Sequence, residues 1–126
     1  IFGILETKGD TSVAGRATIT GCTNNGSVEG SWGVGGIAGD TIGVTSQCVN
    51  NGSISAKGEV AGIVGKCYGN VTECTNNGHI NGAQAIVGGI VGHLHITTYI
   101  DIINTTNYQN GSVTGANPQE IIGEVD

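Results

Sequence analysis

The sequence has no long apolar run, and it contains few basic residues. No stretch approaches the roughly 20 consecutive apolar residues that a membrane-spanning helix needs. Ten acidic and four basic residues make the net charge −6, and an acidic surface does not neutralise phosphate groups. We therefore expect no membrane insertion and no nucleic-acid partner.

Aromatic residues and proline are also scarce, which limits how an interior can be built. One Trp, three Tyr, one Phe and one Pro occur in 126 residues. A core must therefore consist mainly of Ile, Val, Ala and Cys. Glycine, by contrast, occurs 24 times, about three times its usual share. Abundant glycine beside regularly placed β-branched residues predicts tight turns between short strands around a thin, layered interior.

A glycine-rich apolar motif recurs along the chain. Its fullest form is Val-Gly-Gly-Ile-Val-Gly at residues 87–92. Full or partial copies lie at Ile1–Gly3, Val34–Gly39, Val60–Gly65 and Ile121–Gly123. The isoleucine of this motif recurs at positions 1, 37, 63, 90 and 121, so its spacing is nearly periodic.

A second motif joins a cysteine to an Asn-Asn-Gly corner. Its copies are Cys22–Val28, Cys48–Ile54, Cys74–Ile80 and a degenerate one, Asn107–Val113. The corner glycine lies at positions 26, 52, 78 and 111, which gives steps of 26, 26 and 33 residues. Because Asn and Gly accept positive φ, we expect a left-handed turn at each corner glycine. The longer steps predict loops inserted at residues 4–16 and 94–104.

A fixed step of roughly 20–50 residues is typical of proteins built from stacked repeats. Each repeat here offers about three short strands, which cannot bury an apolar face alone but can do so when coils are stacked. We predict an all-β fold, a parallel β-solenoid or β-helix of about four coils with repeats of about 26 residues. The rule for parallel crossovers predicts that it is right-handed. Residues 1–126 are expected to form a single repeat domain, a fragment of a longer array.

Stacking places equivalent residues of successive coils about 4.8 Å apart. Cys22, Cys48 and Cys74 then form one column, and the burial habit of cysteine favours free thiols in the interior. A disulfide from Cys67 to a neighbour remains the alternative. Asparagine side chains of the corner are expected to form amide ladders along the stack.

The combination of Val-Gly-Gly-Ile-Val-Gly at 87–92 with Cys-x-Asn-x-Gly-x-Val/Ile resembles the GLUG-type repeat of bacterial surface and secreted proteins. That repeat also occurs beside the amino-terminal regions of IgA-specific metallo-endopeptidases. The resemblance covers nearly the whole chain and implies an extracellular or cell-surface location, with the signal and anchor outside the given chain. The His-Glu-x-x-His of those peptidases is absent, so we expect no enzyme, no catalytic residues and no cofactor.

His93 and His95 are the candidates for metal binding that the sequence raises. Two histidines two residues apart lie on one face of a strand and can contribute to a zinc site. No cysteine or carboxylate at ligand spacing accompanies them, so we predict no metal site. The acidic residues fall in unlike positions of the repeat, which argues against the facing carboxylates of a glycosidase.

Three aromatic residues are candidates for contact with a glycan or a protein partner: Trp32, Tyr99 and Tyr108. The positions equivalent to Trp32 in other repeats are polar or small, which predicts an outward side chain, with capping of the end coil as the alternative.

The predicted function is a non-catalytic structural or adhesive repeat module. The alternatives are a carbohydrate-binding module that uses Trp32 and residues 94–108, and a subunit of a self-assembling extracellular fibre. Expected partners are neighbouring repeats or copies of the chain itself through the coil ends, since exposed strand edges invite pairing. A host or cell-wall glycan or protein is a further expected partner.

Overall fold

A computed structural model describes residues 1–5, 17–95 and 107–126. These residues form 18 β-strands and no helix, and their strands pair only in parallel. The predicted parallel β-solenoid is therefore confirmed. Its handedness stays a prediction, and most of the two predicted loop insertions lies outside the described residues. None of the described residues belongs to a helix long and apolar enough to cross a membrane.

The strands follow one another around each coil in the same order. The first coil contains β1 (Phe2–Leu5), β2 (Ala17–Thr20), β3 (Thr23–Asn24), β4 (Val28–Gly30) and β5 (Val34–Gly35). The second contains β6 (Ala38–Thr41), β7 (Gly43–Ser46), β8 (Val49–Asn50), β9 (Ile54–Ala56) and β10 (Val60–Ala61). The third contains β11 (Val64–Cys67), β12 (Asn70–Thr72), β13 (Thr75–Asn76) and β14 (His79–Gly88). The fourth contains β15 (Val91–Leu94), β16 (Tyr108–Gln109) and β17 (Ser112–Gln119), and β18 (Ile122–Val125) begins a fifth.

Four parallel sheets run along the stack. One contains β1, β6, β11, β15 and β18, a second contains β2, β7 and β12, and a third contains β3, β8, β13 and β16. In the fourth sheet β14 pairs with both β9 and β10, because this long strand continues through two strand positions of the coil below. The same long strand pairs with β17 through a register shift between Gly82 and Ile86.

The isoleucine column holds the coils in register, as predicted. The amide of Ile37 donates to the carbonyl of Ile63 at 3.1 Å, that of Ile63 to Ile90 at 3.2 Å, and that of Ile90 to Ile121 at 3.0 Å. Ile37, Ile63 and Ile90 are completely buried. Each buried side chain of this size contributes roughly 1.5–3 kcal/mol, so the repeated isoleucine is a main source of stability.

The interior contains two apolar clusters that are built from repeated positions. The larger one includes the isoleucine column and three cysteines, Cys48, Cys67 and Cys74, which are free and buried. Cys22 is also free but only partly buried. The smaller cluster consists of Val34, Ile54, Ala56, Val60, Ile80 and Val87. The Ile, Val, Ala and Cys core that the composition required is therefore present.

Asparagine side chains form two ladders along the corner. In the inner ladder Asn24 Nδ2 donates to Asn50 Oδ1 at 2.8 Å, Asn50 to Asn76 at 2.7 Å, and Asn76 to Gln109 Oε1 at 2.8 Å. The outer ladder donates in the opposite direction along the axis, and its members are Asn110, Asn77, Asn51 and Asn25. The inner asparagine amides also bond to the backbone two residues on, so these asparagines are satisfied inside the core. Gln109 Nε2, at the end of the ladder, has no partner among the described residues.

The two repeated motifs contact each other across this interior. A Cβ added at Gly62 would lie 2.5 Å from Asn76 Oδ1 and 2.5 Å from the carbonyl oxygen of Gly89. A Cβ at Gly36 would likewise lie 2.6 Å from Asn50 Oδ1. The second glycine of the apolar motif is therefore required because the inner asparagine ladder packs directly against its backbone.

The expectation of left-handed turns at the corner glycines is wrong. Gly26, Gly52 and Gly78 do not have positive φ; instead the residue before each column cysteine does, at Gly21 (66°), Gln47 (53°) and Glu73 (54°). Only the first of these three residues is a glycine, so composition did not reveal the turn. At the corner itself glycine is needed for space, since a Cβ at Gly78 would contact the carbonyl of Gly52 below it.

Candidate functional site

Trp32 lies in the connection between β4 and β5 and is 65% exposed. Its indole ring covers Gly58 in the next coil, where an added Cβ would collide with the ring. The side chain is outward, which is one of the two arrangements expected for it, and the ring is supported by bare backbone of the second coil. Such a surface has the apolar character on which a sugar ring can stack.

The three aromatic candidates do not form one site among the described residues. Tyr108 lies in β16 and is 60% exposed. Trp32 belongs to the first coil and Tyr108 to the fourth, so three coil steps, about 14 Å along the stack, separate them. Tyr99 lies outside the described residues. Any glycan contact by Trp32 and Tyr108 would therefore be made separately.

The side chains that do converge are histidines and carboxylates around the end of β15. His93 and His95 follow one another along the end of β15, and β18 pairs with β15 so that Asp126 reaches them. The amide of Asp126 donates to the Leu94 carbonyl at 3.0 Å. Its carboxylate lies 3.1 Å from His93 Nε2 and 2.9 Å from His95 Nδ1. One carboxylate is thus shared by two imidazole rings.

Glu59, which immediately precedes β10, approaches the same cluster from the other side. Its Oε1 lies 3.1 Å from His93 Nδ1, within a hydrogen bond. Its Oε2 lies 3.2 Å from Lys66 Nζ, and this contact with Glu59 raises the pKa of Lys66. Lys66 is itself the register partner of His93. Strand pairing therefore fixes the basic groups on both sides of the Glu59 carboxylate.

Ring packing holds the second histidine. The ring of Tyr68 stacks on that of His95 with centroids 4.3 Å apart and an angle of 4° between the planes. The His93 and His95 rings lie 3.9 Å apart at 30°. His95 cannot rotate freely between these neighbours, so its ring nitrogens are directed by packing as well as by Asp126.

The cluster extends from the interior to the surface. Glu59 is 8% exposed and His93 is 9% exposed, whereas the Asp126 side chain is 54% exposed. Among the described residues, the buried His93 Nε2 has no hydrogen bond, because its short contact with Asp126 is not aligned for one. An unsatisfied buried polar group costs about 1–3 kcal/mol, so this nitrogen requires an explanation.

Sequence reasoning found the two histidines but missed their carboxylate partners. No carboxylate lies at ligand spacing in the sequence, but the fold brings two to the histidines: Asp126 follows His95 by 31 residues and Glu59 precedes His93 by 34. The column from Ile90 to Ile121 has the same 31-residue step, and applying it to His95 identifies Asp126. No comparable signal in the sequence identifies Glu59, which approaches from a different strand position.

The opposite end of the stack has an open cavity of about 250 Å³. It lies against the first coil, and its lining includes Ile1, Val28 and Val34. Among the described residues that line it, Glu29 supplies one carboxylate. The lining contains no cluster of titratable side chains like the one around His93. Its apolar lining continues the core columns to the end of the first coil.

Comparison of the chain with models of protein families, with curated proteins and with solved structures found no match. The resemblance to GLUG-type repeats therefore stays a prediction.

Proposed function

We propose that this chain is a non-catalytic structural and adhesive repeat module of a bacterial cell-surface or secreted protein. The observation that carries the proposal is the unbroken stacking of equivalent residues, from the isoleucine column to the two amide ladders. The repeated residues hold the coils together. Trp32, a side chain that is not repeated, is exposed, which suits a rigid spacer that displays contact surfaces.

Both ends of the stack support addition of further coils. In the first coil Cys22, Asn24 and Val28 are only partly buried, although their equivalents in the third coil are completely buried. At the other end the buried Gln109 Nε2, the last donor of the inner ladder, has no hydrogen-bond partner among the described residues. Another coil above Gln109 could accept this bond, so neighbouring repeats are the partners that the ends favour.

Removal of one complete coil tests the spacer function. Deleting residues 23–48 joins Cys22 to Val49, which is the register partner of Thr23. We expect the shortened parent protein, displayed on cells, to remain folded and secreted but to support weaker adhesion because the spacer is shorter by about 4.8 Å. Duplication of the same coil should restore or increase adhesion. Adhesion that is unaffected by either change would contradict the proposal.

A carbohydrate-binding function is the second candidate, and the exposed Trp32 ring over Gly58 favours it. Aromatic side chains on a β surface can stack on sugar rings, and the Trp32 ring already lies against the backbone of the second coil at Gly58. Glycan-array binding should be lost in Trp32→Ala and retained in Tyr108→Ala if the site is at Trp32. Equal binding by Trp32→Ala and the unchanged chain would remove this candidate.

Fibre formation is the third candidate, since within residues 1–5, 17–95 and 107–126 the outermost strands of the sheets pair on one side only. Edge strands are templates for pairing with another chain. Light scattering over a wide range of protein concentration tests it: assembly should increase with concentration, and a constant monomer mass would exclude it.

A further inference from the structure

We propose that His93, His95 and Asp126 bind a divalent transition-metal ion, with zinc as the expected occupant. One ligand atom from each of the three residues can be chosen so that all lie within 4.8 Å of one another. The two shortest separations, 3.1 and 2.9 Å, join the imidazole nitrogens to the shared carboxylate. Zinc holds nitrogen and oxygen ligands at roughly 2.0–2.2 Å, which places tetrahedral ligand atoms about 3.3 Å apart.

The position of Glu59 supports a metal ligand at His93. A histidine that binds a metal through one ring nitrogen commonly donates its other N–H to a carboxylate. The hydrogen bond between His93 Nδ1 and Glu59 Oε1 has this arrangement. It assigns the proton to Nδ1 and leaves a lone pair on Nε2, which lies 3.1 Å from Asp126 Oδ2.

The lone pair on Nε2 supports a bound metal ion independently of the Glu59 contact. His93 is more than nine-tenths buried, and its Nε2 has no hydrogen bond among the described residues. A neutral imidazole would then set its lone pair 3.1 Å from a carboxylate oxygen, which is repulsive. A cation between the two groups removes the repulsion and satisfies both. A proton on Nε2 would also attract the carboxylate, but it would leave the buried Nε2–H without an aligned hydrogen bond.

The donor set selects the kind of metal. Two imidazole nitrogens with one carboxylate suit zinc, cobalt, nickel or copper, whereas magnesium and calcium prefer oxygen ligands alone. Three protein ligands leave a fourth position for water or for a ligand from a partner. The metal would join β15 to β18, so it would fasten the fourth coil to the coil that follows it. This inference is independent of the adhesive function proposed above.

Titration of the whole chain with zinc chloride and with cobalt chloride, after treatment with a chelator, tests the proposal. A Cys22→Ser background removes the most accessible thiol as a competing ligand. We expect zinc, at a free concentration about a hundred times its dissociation constant, to raise the melting temperature by roughly 5–10 °C. Cobalt should give visible absorption bands of a tetrahedral site at one ion per chain, and magnesium should give no response.

Matched variants locate the site. Asp126→Asn changes an exposed side chain and should fold, yet it should lose the zinc-dependent rise and the cobalt bands, as should His93→Ala. His79→Ala, which alters the histidine outside the cluster, should keep both responses. No response in the unchanged chain, or equal responses in Asp126→Asn and His79→Ala, would overturn the proposal.

Discussion

The same five residues, Cys-Thr-Asn-Asn-Gly, occur in the first coil at 22–26 and in the third at 74–78. Both copies form the same short strand and corner, β3 and β13, and pair with β8 from opposite sides. In the third coil Cys74 and Asn76 are completely buried, whereas Cys22 and Asn24 remain partly exposed. Identical local sequence therefore gives the same backbone, while the coils on either side decide the burial and hence the energetic weight of each residue.

The largest expected difference between the two copies is at the inner asparagine. Asn76→Ala removes hydrogen bonds to Asn50, Gln109 and the backbone of Gly78 inside the core. Two or three buried groups left without partners, at about 1–3 kcal/mol each, predict a loss of about 4 kcal/mol. Asn24→Ala removes one bond to Asn50, whose Oδ1 still accepts from the amide of Gly52, and one exposed bond to the Gly26 carbonyl, so it should cost about 1 kcal/mol. Denaturant unfolding of both variants measures the difference, and equal losses would contradict the comparison.

Substitution of the corner glycine should change the unfolding free energy of the two copies by amounts that differ nearly as much. In Gly78→Ala the new Cβ meets the backbone carbonyl of Gly52, which cannot move without displacing the coil below. We expect a loss of about 3 kcal/mol, at the upper end of overpacking effects. In Gly26→Ala the nearest atom, Asn24 Oδ1, is 3.8 Å away, so the change in unfolding free energy should stay within about 0.5 kcal/mol. Thermal unfolding of the pair is the measurement.

The effect of burial can also be measured by titrating a thiol, that of Cys67 in the larger apolar cluster. Burial raises the pKa of this thiol from 9.0 to about 11. Because the folded pKa is the higher one, the stabilisation is complete below pH 9 and is lost as the pH rises through 11. Two pKa units correspond to about 3 kcal/mol. Cys67→Ser should lack this part of the alkaline decline, and an identical pH dependence of both proteins would refute the assignment.

The smallest expected effect is a difference in the rate of thiol modification between two cysteines of the column, Cys22 and Cys74. Cys22 is partly exposed and should react with a thiol reagent in the folded protein, whereas Cys74 should react only after unfolding. We expect one thiol per chain to be modified rapidly without denaturant and four with it. Mass spectrometry of the modified peptides identifies the residue. Fast modification of Cys74 in the folded chain would show that the stack opens locally.

Much of the architecture could be predicted from the repeated columns. The pairs Ile19 with Thr45 and Thr20 with Ser46, which follow from a 26-residue step, are register partners in β2 and β7. Periodicity succeeds here because each coil makes the same contacts as the last. The left-handed turn at Gln47 and Glu73 was not predictable, since neither side chain favours positive φ.

The candidate site was predictable only in part, because it depends on residues that do not repeat. His93 and His95 are visible as a pair, and the last repeat step identifies Asp126. Lys66 is the register partner of His93, and the 27-residue step from Ile63 to Ile90 identifies it. Glu59 lies at another strand position and meets His93 only when the coil closes. This approach of Glu59 is a property of the cross-section of the solenoid, about which the period of the sequence carries no information.

The sequence by itself determined that this chain stacks coils of about 26 residues, because Ile, Asn and Gly recur at the positions where equivalent groups must bond or approach one another. Only the tertiary structure decided which copy of each residue is buried and which side chains meet around His93. The physical reason is that backbone pairing depends on the local pattern of each coil, whereas burial and ligand geometry depend on atoms that neighbouring coils supply.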